Sequence, residues 1–170
     1  MALTSDRPIE VYQFSVWVVA LVVVAALLVQ VLLPIYFAYA VLLDLPLLVA
    51  AYFGLTRRNP STGLLLGMFI GIIQDALGHE PIGLYGMAKT VIGFAASSVG
   101  VRIDIEHPLS RVILVFLFYH LHQLIFALAE RLLLGHPAPI VSLRVLLAAT
   151  LNGLLAAPLF MLLDRFRKTT

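Results

Sequence analysis

The hydrophobic positions of this chain fall into six long apolar runs, and polar residues cluster in the short gaps between them. A helix that crosses a bilayer needs roughly 17 to 25 mainly apolar residues, so each run can supply about one span. The third run is the shortest and is polar at its C-terminal end, which favours a tilted, partly re-entrant or neighbour-wrapped helix. The pattern predicts membrane-spanning helices over residues 14–33, 38–55, 62–77, 82–101, 112–134 and 145–163.

Composition places the chain in the same class. Of its 170 residues, 62% are hydrophobic and only 12% are charged, which is more apolar material than one soluble core can hide. The chain has no cysteine, so disulfides and thiolate metal sites are excluded. We expect an all-α integral membrane protein with one domain over residues 1–170. The first run is too long for a signal sequence and lacks a small-residue cleavage site before Pro34, so we expect it to be retained.

The basic residues predict how the helices are oriented. If the N-terminus is cytoplasmic, only Arg131 and Arg144 fall outside. The inside then carries Arg7, Arg57, Arg58, Arg102, Arg111, Arg165, Arg167 and Lys168. Eight against two follows the positive-inside rule, and an even number of spans also returns the C-terminus to the cytoplasm. This rule explains the formal net charge of +2, so a nucleic-acid partner is not predicted.

Small residues recur at helical spacing on the third and fourth predicted helices. Gly63, Gly67 and Gly71 are four residues apart and form two overlapping GxxxG patterns. Such a stripe of bare backbone lets another helix approach closely. A second stripe follows on the next helix, at Gly86, Thr90, Gly93, Ser97 and Gly100. The short GHEP turn between them predicts an antiparallel hairpin, and the stripes are candidate surfaces for helix packing or for a partner.

Several ionisable or amide side chains lie within the predicted spans. Asp75 and Lys89 are at similar depth on the two arms of the hairpin, so a salt bridge between them is geometrically possible. Isolated ionised groups inside a membrane cost on the order of 3 kcal/mol each, which favours pairing. The predicted topology puts Asp44, Glu130 and Asn152 in the same outer half. This polar interior could be a structural network, a proton or substrate path, or a docking site; a structural or partner-facing role is favoured.

Catalytic motifs are not supported. His79 and Glu80 begin HEPIG, which lacks the second histidine of a zinc-protease motif. His120 and His122 lie about 200° apart on a helix, so they favour interhelical hydrogen bonds over a shared metal ion. Ser97 has no nucleophile-elbow motif around it, and no phosphate-binding loop is present. We therefore expect no enzyme, no cofactor and no metal site.

Two stretches carry a resemblance to a known family. LLDLPLLVAAYFGLTR, which contains Asp44, is followed by GLLLGMFIGIIQDALGHEPIG from Gly63 to Gly83. In this order the chain resembles the bacterial rod shape-determining MreD family over nearly its whole length. The resemblance implies a multi-pass protein of the bacterial cytoplasmic membrane that acts as a scaffold of the elongasome in cell-shape control and peptidoglycan synthesis. It implies binding to the single-span protein MreC, and through it to the filament protein MreB and a peptidoglycan polymerase and transpeptidase pair.

Two alternatives stay open at this point. A substrate-binding S-component of an energy-coupling-factor vitamin transporter also has about six spans, and the polar residues around Asp44, Lys89 and Glu130 could be its ligand site. The first helix, however, lacks the alanine-x3-alanine contact pattern of such subunits. A dry interior would favour the scaffold, and a closed polar cavity would favour the transporter subunit. The remaining alternative is a small membrane protein whose glycines serve helix packing alone.

Overall fold

The structure, a computed structural model, describes residues 14–78, 81, 83–103, 107–135 and 139–167. Its elements are α1 (Val16–Tyr36), a 3-10 helix (Ala38–Leu42), α2 (Leu45–Arg57), α3 (Pro60–Gly78), α4 (Leu84–Gly100), α5 (Pro108–Ala129), a π-helical turn (Glu130–Leu134) and α6 (Leu143–Asp164). Some residues used in the sequence analysis lie outside this description, namely Arg7, His79, Glu80 and Lys168. The all-α prediction is confirmed for the described part of the chain.

The bundle has two ends, named here for one residue at each. The Gly83 end carries the end of α1, the turn between α3 and α4, and the start of α6. The Asp164 end carries the ends of α2, α4 and α6 and the start of α5. Contacts between neighbouring helices agree with this alternation, since Leu55 of α2 meets Gly100 of α4 and Tyr52 of α2 meets Asp164 of α6.

Five helical segments are long and apolar enough to cross a membrane: Val16–Tyr36, Ala38–Arg57, Pro60–Gly78, Pro108–Leu134 and Leu143–Asp164. The prediction of a multi-pass helical protein is therefore confirmed. α4 has only 17 residues and measures about 25 Å, so a sixth span stays a prediction. α3 is longer than the apolar run that predicts it. It has 19 residues because it begins at Pro60, where the Asn59 side chain accepts the Thr62 N–H at 3.2 Å as an N-cap.

Two predicted helix boundaries were wrong. α1 does not stop at Pro34 but continues to Tyr36, because a proline close to a membrane helix end frees only one carbonyl. The second run is not one helix over residues 38–55. It is broken after the 3-10 helix, and α2 begins anew because the Asp44 side chain accepts the Leu47 N–H at 3.0 Å.

α2 is the centre of the bundle. Every residue from Pro46 to Thr56 is buried, and α2 packs against all five other helices. α3 packs most extensively on α4, and α5 on α6. The outward surfaces are strongly apolar; Trp17, for example, is 84% exposed and Leu21 is 71% exposed. Exposed apolar surface on this scale marks contact with lipid or with another helix.

Candidate functional site

The small-residue stripes of α3 and α4 face each other. A Cβ added at Gly63, Gly67 or Gly71 would lie within 3.0 Å of α4 backbone atoms, a separation that real Cβ atoms essentially never show. Gly93 meets the backbone of α3 at Gly63 in the same way, and the Ser97 hydroxyl lies at this contact. α3 and α4 therefore form a close hairpin. These glycines serve internal helix packing, because α4 already occupies the space that a partner would need.

Asp75 holds the beginning of α4. Its side chain is fully buried and accepts three backbone N–H groups, from Gly83 at 2.8 Å, Tyr85 at 3.0 Å and Gly86 at 3.1 Å. The first N–H groups of a helix have no partner within the helix, and a carboxylate at this position satisfies them and complements the helix dipole. The salt bridge with Lys89 that the sequence makes geometrically possible does not form, because the Asp75 oxygens bond to this backbone instead.

Lys89 pairs with Asp44. Its Nζ atom lies 2.7 Å from Asp44 Oδ2, and the lysine side chain is fully buried. Two further groups surround the ammonium: His122 Nε2 at 3.3 Å and the Tyr85 ring, whose centroid is 4.6 Å away. An ammonium has three N–H bonds, and the carboxylate, the imidazole nitrogen and the aromatic face provide three acceptors. The charge therefore has protein partners on three sides.

Asn152 of α6 bridges the break in the second span. Its Oδ1 accepts the Asp44 N–H and its Nδ2 donates to the Leu42 carbonyl, both at 2.8 Å. Inside a membrane, backbone groups that have no hydrogen bond within a helix need such partners, because hydrocarbon offers none. One amide side chain thus replaces two lost backbone hydrogen bonds.

Gln30 of α1 does the same from the opposite side. Its Nε2 donates to the Leu43 carbonyl and its Oε1 accepts the Leu45 N–H, both at 2.9 Å. Gln30 is not among the polar residues that the sequence predicts for this site. The available signal was a lone amide inside the otherwise apolar run of α1, which is expensive in a membrane unless it has a partner.

Three of the five predicted polar residues, Asp44, Lys89 and Asn152, meet in this cluster, and a fourth, Asp75, lies at its edge. Each of the six helices contributes a polar side chain to the cluster or its edge. The participating residues are Gln30, Asp44, Asp75, Lys89, His122 and Asn152. Glu130 is a different case. It is half-buried on the π-helical turn, about 12 Å beyond His122, and its carboxylate makes no hydrogen bond or ion pair with the described residues.

The two histidines of α5 behave differently. His122 makes the interhelical contact that the sequence predicts, with Lys89, and it also stacks on the Tyr85 ring. His120 does not: its Nδ1 bonds to the Phe116 carbonyl of its own helix at 2.9 Å. His122 is missing from the predicted site. Its spacing from His120 excludes a shared metal ion, but it carries no information about a lysine on another helix.

A second cluster of charged side chains lies at the Asp164 end of the bundle. The Asp164 carboxylate accepts from Arg111 at 2.6 Å and from the Tyr52 hydroxyl at 2.9 Å, and it forms an ion pair with Arg167 at 2.6 Å. These contacts tie α2, α5 and α6 together. From the sequence these arginines indicate only topology, because their partner Asp164 lies at the end of a distant helix, α6.

This architecture defines a multi-pass helical membrane protein whose buried charges are engaged with one another across helices. The family model described as rod shape-determining protein MreD matches residues 11–166. The chain belongs to the MreD family, and it is therefore a cell-shape membrane protein. No curated protein and no solved structure matches the chain.

Proposed function

We propose that the protein is a non-catalytic scaffold of the cell-elongation machinery in the bacterial cytoplasmic membrane, where it binds MreC. MreC would connect it to MreB and to the peptidoglycan polymerase and transpeptidase pair. The observation that carries this proposal, beside family membership, is the internal pairing of the buried polar groups. Lys89, Asp44 and Asn152 bond to one another and to backbone, which suits a rigid framework better than a ligand site.

The charge distribution supports an orientation with the Asp164 end in the cytoplasm. Arg131 and Arg144 lie towards the Gly83 end. The Asp164 end carries six described arginines: Arg57, Arg58, Arg102, Arg111, Arg165 and Arg167. This is the bias expected of a cytoplasmic face. In this orientation α4 also crosses the membrane, which brings the number of spans to six. Both termini are then cytoplasmic, and the polar cluster around Lys89 lies in the outer half of the membrane.

Partner recognition in such a protein must use helix faces and short turns, because the connections between the described helices are short. The glycine stripes are unavailable for this purpose, since α3 and α4 bury them against each other. With these stripes excluded, the lipid-facing sides of the helices and the short turns are left for a partner. A helix of MreC packing there would depend on close contact and on interhelical hydrogen bonds.

The test is co-purification in lipid nanodiscs. The tagged full-length protein is expressed with full-length MreC from the same organism, and with an otherwise identical MreC whose span is replaced by an unrelated one. We expect MreC to be retained and the replaced-span version to be lost. Equal recovery of both versions, or of neither, would contradict the proposal. A vitamin that co-purifies stoichiometrically would instead favour the transporter subunit.

A further inference from the structure

The Asp164 end of the bundle carries more positive charge than its acids balance. Asp164 is the only acidic residue at this end within the described residues, and it already pairs with Arg111 and Arg167. The side chains of the other four arginines make no hydrogen bond or ion pair with the part of the chain that the structure describes. They are Arg57, Arg58, Arg102 and Arg165.

Arg58 ends α2 in a conformation that favours glycine. It is the C-cap of this helix, with φ 55° and ψ 23°, and no other non-glycine residue in the described ranges has a positive φ. Glycine is the usual residue at such a helix end, because a Cβ is strained in the left-handed region. The turn alone therefore does not account for an arginine at this position.

The Arg58 guanidinium is anchored but not neutralised. Its Nε atom is buried and has no hydrogen-bond partner among the described residues, whereas its terminal nitrogens are accessible. Unpartnered buried donors are uncommon in folded proteins, because their desolvation is not offset by a hydrogen bond. Packing against the protein thus fixes where the guanidinium lies, while its outer edge is left for an external acceptor.

Arg57 and Arg102 lie at the same end as Arg58, on two neighbouring helices. The backbone of Leu55 contacts Gly100, so α2 and α4 end at the same level. Arg57 is the last residue of α2, and Arg102 follows the last residue of α4 by two positions. The point where membrane helices end is also the level of the phospholipid headgroups. These arginines therefore lie where headgroup phosphates are found.

We propose that Arg57, Arg58 and Arg102 form a binding site for the phosphate of an anionic phospholipid. A guanidinium presents paired N–H donors that match phosphate oxygens, and basic residues beside spanning helices attract anionic lipids. An acidic protein segment has the same sign of charge, but the level of the site favours a lipid. The inference does not depend on MreC, and it holds for either orientation because both membrane surfaces carry headgroups.

The test measures binding of a short-chain phosphatidylglycerol to the full-length protein in neutral detergent micelles, by isothermal titration calorimetry. Phosphatidylcholine with the same acyl chains is the reference, because it contains the phosphate but has no net charge. We expect phosphatidylglycerol to bind at least about tenfold more tightly, and this preference to shrink as the salt concentration rises. Equal affinity for the two lipids would overturn the inference.

Arg58→Gly separates the side chain from the backbone. Glycine adopts the left-handed conformation without strain, so we expect thermal stability to be maintained or raised. The affinity for phosphatidylglycerol is expected to fall about fivefold or more, because the anchored guanidinium is lost. The control Arg144→Gln removes one positive charge at the Gly83 end, and its affinity is expected to stay within about twofold of wild type. Equal affinity of the two variants would overturn the site.

Two competitors distinguish the possible sources of the negative charge. We expect neither inorganic phosphate nor a polyglutamate peptide to displace phosphatidylglycerol at millimolar concentration. Displacement by inorganic phosphate would overturn a lipid as the ligand, and displacement by the peptide would assign the surface to an acidic protein segment instead. Because the titration contains no MreC, its failure leaves the proposed function standing, and a failure to retain MreC leaves the lipid site standing.

Discussion

Replacing Lys89 by methionine tests the central ionic contact of the bundle. The variant keeps an unbranched side chain of similar length but removes the ammonium that lies 2.7 Å from Asp44 Oδ2. Asp44 is only 7% exposed, so its carboxylate is then buried without a cation beside it. Removing one partner of a buried pair typically costs about 3–5 kcal/mol, a large part of the roughly 5–15 kcal/mol that holds a domain together.

A second substitution identifies the partner. Asp44→Asn removes the charge but keeps an oxygen that accepts the Leu47 N–H, so the cap of α2 survives. The bond from the Asp44 N–H to Asn152 starts from the backbone and is also retained. We expect the Lys89→Met, Asp44→Asn double variant to recover most of the loss, with a coupling energy of at least about 2 kcal/mol.

The measurement is reversible unfolding in mixed micelles with an increasing mole fraction of SDS, followed by helical circular dichroism. The control combines Lys89→Met with Asp75→Asn. Asp75 caps α4 through backbone N–H groups, so this pair is expected to show no recovery. If Asp75→Asn rescues stability and Asp44→Asn does not, the assignment of the ion pair is wrong. A loss below about 1 kcal/mol for Lys89→Met would refute the reasoning that a buried carboxylate needs this cation.

Two further substitutions test the packing of α3 on α4 and the Asn152 bridge across the break in the second span. Gly67→Ala is expected to cost about 3 kcal/mol because the new Cβ meets the Lys89 backbone. In the control Gly86→Ala, the nearest neighbour is the flexible Ile72 side chain at 3.1 Å, so the cost is under about 1 kcal/mol. Equal losses in the unfolding assay would count against the close backbone contact between α3 and α4. Asn152→Leu leaves one buried and one part-buried backbone group without this partner and is expected to cost about 2–5 kcal/mol. The control Thr150→Val, at an exposed position of the same helix, is expected to cost about 0.5 kcal/mol. A small loss for Asn152→Leu would mean that other groups, or water, satisfy the break.

The sequence predicts the parts of this fold that depend on periodicity. Long apolar runs mark the spans, and glycines at spacing four mark the face on which α3 and α4 meet. Pairing of polar residues is harder to predict, because the depth and face of a side chain can be read from the sequence while the group that it bonds to cannot. Asp75 and Lys89 have matching depth, yet Asp75 turns to the backbone of α4 and Lys89 turns to Asp44.

The break in the second span is invisible in hydropathy for a related reason. The chain leaves the helix at Leu42, Leu43 and Asp44. It can do so only because side chains of other helices make the hydrogen bonds that the helical backbone would otherwise make. The most distant of these partners, Asn152, is 108 positions away from Asp44. A local pattern carries no information about such a partner, so the run over residues 38–55 looks like a continuous helix.

The bridge made by Asn152 also sets an order of events during biosynthesis. The second span is synthesised well before α6. Its Leu42 carbonyl and Asp44 N–H therefore lack their Asn152 partner until α6 is inserted. Hydrocarbon cannot satisfy these two groups in the meantime. A chain truncated before Asn152 therefore leaves both backbone groups without this partner.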